Sequence, residues 1–264
     1  MSQDYPLIRT KTIVPRLRDS LVPRQRLVDL IHSNIHNKLV LISAGAGYGK
    51  TSLLNQYAHD AGIPVCWYSL DENDNSLVTF SRYLVRSIQE QFPSFGQSIL
   101  TYLDETEAFA DVEPLVGLFL QELDLYATQF FALLLDDYHQ VIQSEPVNAL
   151  LDGLLRYLPD QCHIVLASRG IPRRLTLSRL AARQEIAGFG TTELCFTSQE
   201  IRALFANMGQ LDLSEEEIET IAQRTEGWVT GIILTAQTSL SSTVRDSPSC
   251  TPYSPHELPF FRSA

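Results

Sequence analysis

The feature that most constrains the fold lies between an apolar segment and a helical one near the start of the chain. Residues 39–42 form a short, wholly apolar run of the kind that a buried parallel strand shows. A segment with helical character opens at Ser52. Between the two lie Ala44, Gly45, Ala46, Gly47, Tyr48, Gly49, Lys50 and Thr51. The order of strand, glycine-rich loop and helix is typical of a phosphate-binding loop.

Each residue type in this loop has a physical reason to be there. Glycines at 45, 47 and 49 can take positive φ angles, so that successive backbone N–H groups converge on a phosphate. The helix that begins near Lys50 adds its dipole. Lys50 is expected between the β- and γ-phosphates, and the Thr51 hydroxyl on Mg²⁺. Ala44 departs from the strict pattern, which has glycine first, by one methyl group.

Composition limits the classes of protein to which the chain can belong. Its 44% hydrophobic and 19% charged residues are ordinary for a soluble globular protein, and its apolar runs are too short to span a membrane. The N-terminus lacks the pattern of a secretion signal, so we expect a cytoplasmic protein without a membrane partner. A net charge of −11 argues against direct nucleic-acid binding by this chain.

Strands and helices alternate over the first three quarters of the chain. Apolar runs predict strands at 39–42, 64–70, 130–135 and 163–167, and the segments between them carry apolar residues at helical spacing. This alternation predicts a P-loop NTPase fold of the α/β class, a three-layer α/β/α arrangement around a parallel sheet. Ligands are expected at the carboxyl ends of the strands.

From about Thr197 onwards only short helices are predicted, at 198–207, 214–225 and 227–239. We therefore divide the chain into four parts. They are an extended N-terminal arm (1–20), a P-loop ATPase core (21–196), a small helical subdomain (197–240) and a disordered tail rich in Ser and Pro (241–264).

A second set of candidate residues follows two of the predicted strands. The apolar run before Asp136 and Asp137 is typical of the strand that supplies carboxylates to a nucleotide site. Asp136 is expected to bind Mg²⁺ through water, and Asp137 to orient or deprotonate the attacking water. Arg169, after the fourth strand, is placed to reach the γ-phosphate. His139 is predicted to be a structural turn residue.

Further nucleotide contacts are expected on either side of the loop. Ser52 continues the loop into its helix, and Val22, Pro23 and Arg24 can contact the nucleotide from the N-terminal side, with Val22 and Pro23 against the adenine. A plain helix start, with proline in the first turn, explains these three residues equally well.

The chain resembles the ATP-binding domain of the MalT-like regulators, large LuxR-type transcription activators in the STAND branch of signal-transduction ATPases. The resemblance runs from about Thr10 to Leu240. The loop alone is common to many families, whereas the ordered series of motifs is specific. The series comprises Thr10-Lys11, Val22-Pro23-Arg24, the loop from Ala46 to Thr51, Asp136-Asp137-Tyr138-His139, Ser168-Arg169 with Pro172, Leu177, Arg179, Leu180 and Arg183, Phe196-Thr197, and Thr225-Glu226-Gly227-Trp228-Val229-Thr230-Gly231.

The resemblance implies a switch in which ADP holds a closed form, whereas ATP and an unidentified small-molecule inducer favour an open form that self-associates. It assigns the phosphate, metal and sensor positions to Lys50, Thr51, Asp136, Asp137 and Arg169. Family members continue into winged-helix, helical-repeat and DNA-binding helix-turn-helix segments. This chain has a Ser/Pro tail there instead, so we expect no direct DNA binding from it.

Three functions agree with these patterns. The first is an ATP-binding, slowly hydrolysing signalling module that uses ATP/ADP and Mg²⁺ and whose nucleotide state controls association with itself or a protein partner. The second is a P-loop kinase that passes the γ-phosphate to a small substrate, with Arg173, Arg174, Arg179 and Arg183 as its lid. The third is an interaction domain that holds a nucleotide without turnover.

Overall fold

The fold is built around a five-stranded parallel sheet. A computed structural model describes residues 7–106, 110–209 and 213–245. The strands lie in the order β2-β3-β4-β1-β5, and every paired neighbour runs parallel. This arrangement confirms the predicted α/β class. The strands are β1 (Leu39–Ser43), β2 (Val65–Ser69), β3 (Phe131–Asp136), β4 (Cys162–Ser168) and β5 (Ile186–Phe189).

Helices cover both faces of the sheet and continue beyond it. Those of the core are α1 (Gln25–Asn34), α2 (Lys50–Asp60), α3 (Leu77–Gln89), α4 (Gln97–Thr106), α5 (Val112–Tyr126), α6 (Glu145–Tyr157), α7 (Leu177–Ala182) and α8 (Thr191–Leu194). Three more follow: α9 (Ser198–Asn207), α10 (Glu215–Thr225) and α11 (Val229–Arg245). None of the helices in the described ranges has the length and hydropathy needed to cross a lipid bilayer.

Alternation along the strands divides the core into two apolar layers. On β1, Leu39 and Leu41 face the cluster formed with α3, α4, α5 and α6, whereas Val40 and Ile42 face the cluster formed with α1 and α2. Successive side chains of a strand point to opposite faces, so wholly apolar strands must be covered on both. The sheet is therefore the middle of three layers.

One strand of the sheet was missing from the sequence prediction. β5 pairs with β1 at the edge of the sheet, with Ala187 beside Val40 and Gly188 beside Leu41. Its small residues have weak strand propensity, and edge strands need less apolar surface than central ones. Helices α4, α7 and α8 are also absent from the sequence prediction. α7 and α8, with 6 and 4 residues, are too short to show a helical period, whereas α4 buries Ile99 and Leu103 at helical spacing, a signal that the sequence analysis missed.

Helices α9, α10 and α11 pack around a third, smaller apolar cluster, which includes Ile201, Phe205, Ile218 and Ile232. We call these three helices the helical subdomain. Val22, from the segment before α1, is buried in the same cluster. Helix α11 continues to Arg245, past Leu240, where the sequence placed the end of this subdomain. The rest of the predicted tail, 246–264, lies outside the described residues, as do residues 1–6 of the predicted arm.

Candidate nucleotide-binding site

The glycine-rich loop leaves the carboxyl end of β1 and runs directly into α2. Gly47 and Gly49 have φ angles of 76° and 78°, in the left-handed region that favours glycine. Gly49 is the residue that precedes the first turn of α2. Backbone N–H groups at the start of this helix have no partner within it, which makes the loop and the helix a ready anion site.

Lys50 lies on the inner side of this loop and is almost fully buried. Its Nζ donates hydrogen bonds to the carbonyl oxygens of Ala44 at 2.7 Å and Gly45 at 2.8 Å. Burial lowers the pKa of Lys50, although the nearby carboxylates of Asp137 and Asp136 act in the opposite direction. The ammonium group is therefore close to both acids, and its hydrogen-bond acceptors in the described part of the chain are neutral carbonyls, which a phosphate can replace.

Asp136 and Asp137 differ in environment although they are adjacent. Asp136 ends β3 and is 1% exposed, and its Oδ1 accepts a hydrogen bond of 3.0 Å from the backbone N–H of Asp137. Asp137 has a φ of 56° and starts a short 3₁₀ turn, with its side chain 39% exposed. The turn is anchored by buried Tyr138, whose hydroxyl donates to Asn148 of α6 at 3.1 Å. The pair thus offers one buried and one accessible carboxylate.

The buried carboxyl of Asp136 binds a proton more tightly than a carboxyl in water does. Burial and then the neighbouring Asp137 raise its pKa from 3.8 to about 6, against smaller opposite effects from the Thr51 hydroxyl, the Asp137 N–H and Lys50. Between these two values the folded protein binds more protons at this site than the unfolded chain does. The contribution of Asp136 to stability is therefore unfavourable above about pH 6, and it disappears below 3.8.

Because the buried charge of Asp136 lowers stability above about pH 6, its removal should stabilise the protein without ligand. In the presence of a chelator, Asp136→Asn should raise the free energy of unfolding at pH 7 by about 1–3 kcal/mol, because the neutral amide avoids the cost of a buried charge. The gain should shrink as the pH falls towards 4. Urea denaturation at several pH values measures both effects, with the exposed Asp19→Asn as the control. A destabilised Asp136→Asn protein at pH 7 would contradict the assignment.

Arg169 and His139 complete the charged part of the site. Arg169 follows β4 directly, is exposed, and acts electrostatically on both Lys50 and His139. His139 Nδ1 lies 3.6 Å from Asp137 Oδ1. Its pKa is lowered, first by burial and then by the positive charges of Arg169 and Lys50, with Asp137 opposing. His139 is therefore part of the charged cluster as well as a turn residue. Its position two residues after Asp137 is the sequence feature that could have indicated this role.

The strand order explains why residues far apart in sequence meet here. β4 lies between β1 and β3, with Ser43 beside Ser168 and Leu135 beside Leu166. The loop after β1, Arg169 after β4 and the acids at the end of β3 therefore follow one another along the carboxyl edge of the sheet. The sequence predicted this edge but not that a strand separates the loop strand from the acid strand.

A cavity of about 580 Å³ adjoins the loop on the side of the helical subdomain. Val22 and Arg24 line it together with Gly47, Thr51 and Ser52, whereas Pro23 is exposed and lines a neighbouring groove. A larger groove of about 910 Å³ lies between α5 and α6 and contains no residue of the loop or of the acid pair. Of these two, the smaller cavity is therefore the one next to the glycine-rich loop.

Arg24 has a role in the structure that the sequence did not predict. Its Nη2 donates to the Cys195 carbonyl at 3.0 Å and to Glu200 of α9 at 3.1 Å, and its guanidinium lies 4.3 Å from the centre of the Phe196 ring. Its Nε and Nη1 are buried and have no partner among the described residues. Arg24 thus connects the core to the helical subdomain while it lines the cavity, and its contact with a nucleotide stays a prediction.

The residues present fit a magnesium ion that is shared with phosphates. No group of three or more His, Cys, Asp or Glu side chains in the described ranges is arranged to hold a metal alone. Asp136 Oδ2, however, is buried without a hydrogen-bond partner in the described part of the chain, and the Thr51 hydroxyl is close enough to affect the Asp136 carboxyl. Such an unpaired oxygen suits the water shell that Mg²⁺ keeps in phosphate sites.

A parallel sheet with this loop after β1 and an acid pair after β3 defines a protein of the P-loop NTPase class. Comparisons with known proteins show to which members of this class the chain is similar. No protein-family model matches the chain. The HTH-type transcriptional regulator MalT of Cronobacter sakazakii (strain ATCC BAA-894) is 30% identical to it over 238 residues, which cover 90% of this chain and 26% of that protein. MalT of Serratia proteamaculans (strain 568) is also 30% identical, over 240 residues, 89% of this chain and 26% of that protein.

Among solved structures, a STAND protein with a tetratricopeptide-repeat sensor from Pyrococcus horikoshii shares the fold. The TM-score is 0.51 at 12% identity, and the match covers 85% of this chain and 31% of that one. Over the matched region, about nine tenths of its length, the chain is similar to part of the MalT regulators. It spans about a quarter of the length of the curated relatives.

Proposed function

We propose that this chain is an ATP-binding, slowly hydrolysing signalling module whose nucleotide state controls association with itself or with a protein partner. The observation that carries the proposal is the meeting of Asp136, Asp137 and Arg169 around Lys50, from three different strand ends, with each of the three acting electrostatically on the lysine. A cluster of salt bridges that served stability alone would not require a glycine-rich loop beside it.

The phosphates are expected on the loop and the first turn of α2. Lys50 would exchange the carbonyls of Ala44 and Gly45 for oxygens of the β- and γ-phosphates, a change from neutral to charged acceptors. The rest of the nucleotide would extend into the cavity next to Val22 and Ser52. This cavity is lined by both the core and the helical subdomain, so a bound nucleotide would contact both.

Thr51 and Asp136 are the residues that would hold magnesium. A bound Mg²⁺ ion supplies positive charge that offsets the negative charge on the phosphate oxygens. Asp137, accessible and fixed by the Tyr138 turn, would orient the attacking water and accept its proton. Arg169 would stabilise the charge on the γ-phosphate oxygens and lose this contact once the phosphate leaves.

The regulatory part of the proposal comes from the relatives. They are HTH-type transcriptional regulators of which this chain matches about a quarter. We infer a cytoplasmic role in transcription regulation, in which an inducer and ATP favour assembly. The net charge of −11 supports assembly with protein and not direct contact with nucleic acid.

Phosphate release from MgATP tests the proposal. Asp137→Asn should lower the rate about 100-fold, because the amide cannot accept a proton from water, and should leave MgATP binding nearly unchanged. Asp124→Asn, exposed near the end of α5 that leads into the start of β3, is the matched control. Formation of ADP that requires an added acceptor and releases no free phosphate would favour the kinase. Tight MgATP binding with no phosphate release over many hours would favour the domain without turnover. Unchanged release by Asp137→Asn would remove this residue from the mechanism.

A further inference from the structure

The outer side of the phosphate loop is held by Trp228, which directly precedes α11, and by Thr230 in the first turn of that helix. Trp228 Nε1 donates a hydrogen bond of 2.9 Å to the Ala46 carbonyl. Thr230 donates twice to the Gly47 carbonyl, from its hydroxyl at 3.2 Å and from its backbone N–H at 3.3 Å. The helical subdomain, far away in sequence, thus binds two consecutive carbonyl groups in the middle of the loop.

These contacts fix the direction of two peptide groups. A trans peptide is planar, so that its C=O and its N–H point in opposite directions. When the Ala46 carbonyl points to Trp228, the Gly47 N–H must point away from the helical subdomain. When the Gly47 carbonyl points to Thr230, the Tyr48 N–H must likewise point away from the helical subdomain. Consecutive N–H groups directed to one side are what an anion-binding loop requires.

Glycines make this close approach possible. A Cβ atom on Gly47 would lie 2.2 Å from Thr230 Oγ1 and 2.8 Å from Trp228 Nε1. A Cβ atom on Gly231 would lie 2.8 Å from Trp228 Cε3, and one on Gly227 would lie 2.8 Å from Cys195 Cβ. Glycine is thus required on the loop and on both sides of Trp228, which indicates a specifically built contact and not an incidental one.

We propose that Trp228 and Thr230 are positioning residues that orient the Gly47 and Tyr48 N–H groups for phosphate binding and so couple docking of the helical subdomain to nucleotide occupancy. The inference rests on the proposed nucleotide binding. Because coupling is reciprocal, bound phosphate must strengthen docking of the subdomain by the same factor by which docking strengthens phosphate binding.

The first test is calorimetric titration with MgADP. Trp228→Phe keeps the aromatic ring and removes the N–H, and Thr230→Val keeps the shape and removes the hydroxyl. Each change should weaken MgADP binding about fivefold, the loss of one hydrogen bond. Thr230→Ser restores a hydroxyl and should bind as the wild type does. Thr220→Val is the matched control, since Thr220 makes its hydroxyl bond within α10, to the Glu216 carbonyl.

The second test follows docking directly. The described residues contain both tryptophans, Trp67 being 1% exposed and Trp228 half-buried. MgADP should lower the quenching of Trp228 by acrylamide in the wild type and in Thr230→Ser, with a smaller effect in Thr230→Val and none in Lys50→Ala. Trp228→Phe, which leaves Trp67 alone, should show no response to MgADP.

The possible outcomes separate this inference from the proposed function. Wild-type affinity in both Trp228→Phe and Thr230→Val, with Lys50→Ala unable to bind, would overturn the positioning role and leave nucleotide binding intact. Failure of the wild type itself to bind MgADP would overturn both. Thermal unfolding without ligand shows whether each variant folds. If Trp228→Phe does not fold, the comparison of Thr230→Ser with Thr230→Val decides whether the positioning role holds.

Discussion

Replacing Lys50 with alanine is expected to weaken MgATP binding roughly 1000-fold and to leave the unliganded fold nearly as stable as before. Two charge-assisted hydrogen bonds to phosphate oxygens, each contributing about 2 kcal/mol, give a loss of about 4 kcal/mol in binding free energy. Without ligand, the hydrogen-bond acceptors of the ammonium among the residues that the structure describes are the carbonyls of Ala44 and Gly45. Its lowered pKa shows that burial already disfavours the charged form.

Calorimetry gives the affinity, and the ligand-induced rise in the unfolding midpoint gives an independent measure of it. Lys38→Ala is the matched control. Lys38 lies just before β1, at the opposite end of the strand from the loop, and pairs with Glu185 at 3.3 Å. The Lys38→Ala protein should bind MgATP as the wild type does. If Lys50→Ala kept full affinity, the phosphates would have to bind elsewhere.

The second large effect concerns stability and lies in the N-terminal arm. Lys11 Nζ contacts both carboxylate oxygens of Asp74, at 2.6 and 2.5 Å, and lies 4.3 Å from the centre of the Tyr83 ring. Lys11 is 8% exposed and Asp74 is fully buried. Lys11→Met would leave this carboxylate buried and unpaired, so we expect the free energy of unfolding to fall by about 3–5 kcal/mol. Urea denaturation measures the change.

Two further variants test the cause of that loss. Lys38→Met removes a partly exposed ion pair and should change stability by no more than about 1 kcal/mol. Adding Asp74→Asn to Lys11→Met should recover part of the loss, because the amide carries no charge and still accepts the hydrogen bond from the Asp71 N–H. A Lys11→Met protein as stable as Lys38→Met would show that the pair does not hold the arm in place.

Sequence patterns were sufficient wherever neighbouring residues carry the information. The glycines, Lys50 and Thr51 act within one turn of chain, and the apolar runs of β1 to β4 show burial on both faces. The helices after Thr197 are marked by their own caps, as in the Ser214 capping box. The fold class, and the position of the glycine-rich loop between β1 and α2, were predictable for this reason.

The sequence by itself determined a phosphate loop, an acid pair and a parallel sheet, because turns, caps and alternation are local properties of the chain. Only the tertiary structure decided that β4 separates β1 from β3, that β5 closes the edge, that Arg24 pairs with Glu200 and that Trp228 binds the phosphate loop. These contacts join segments far apart in the chain. Their geometry depends on how helices cross and pack, which no short stretch of residues encodes.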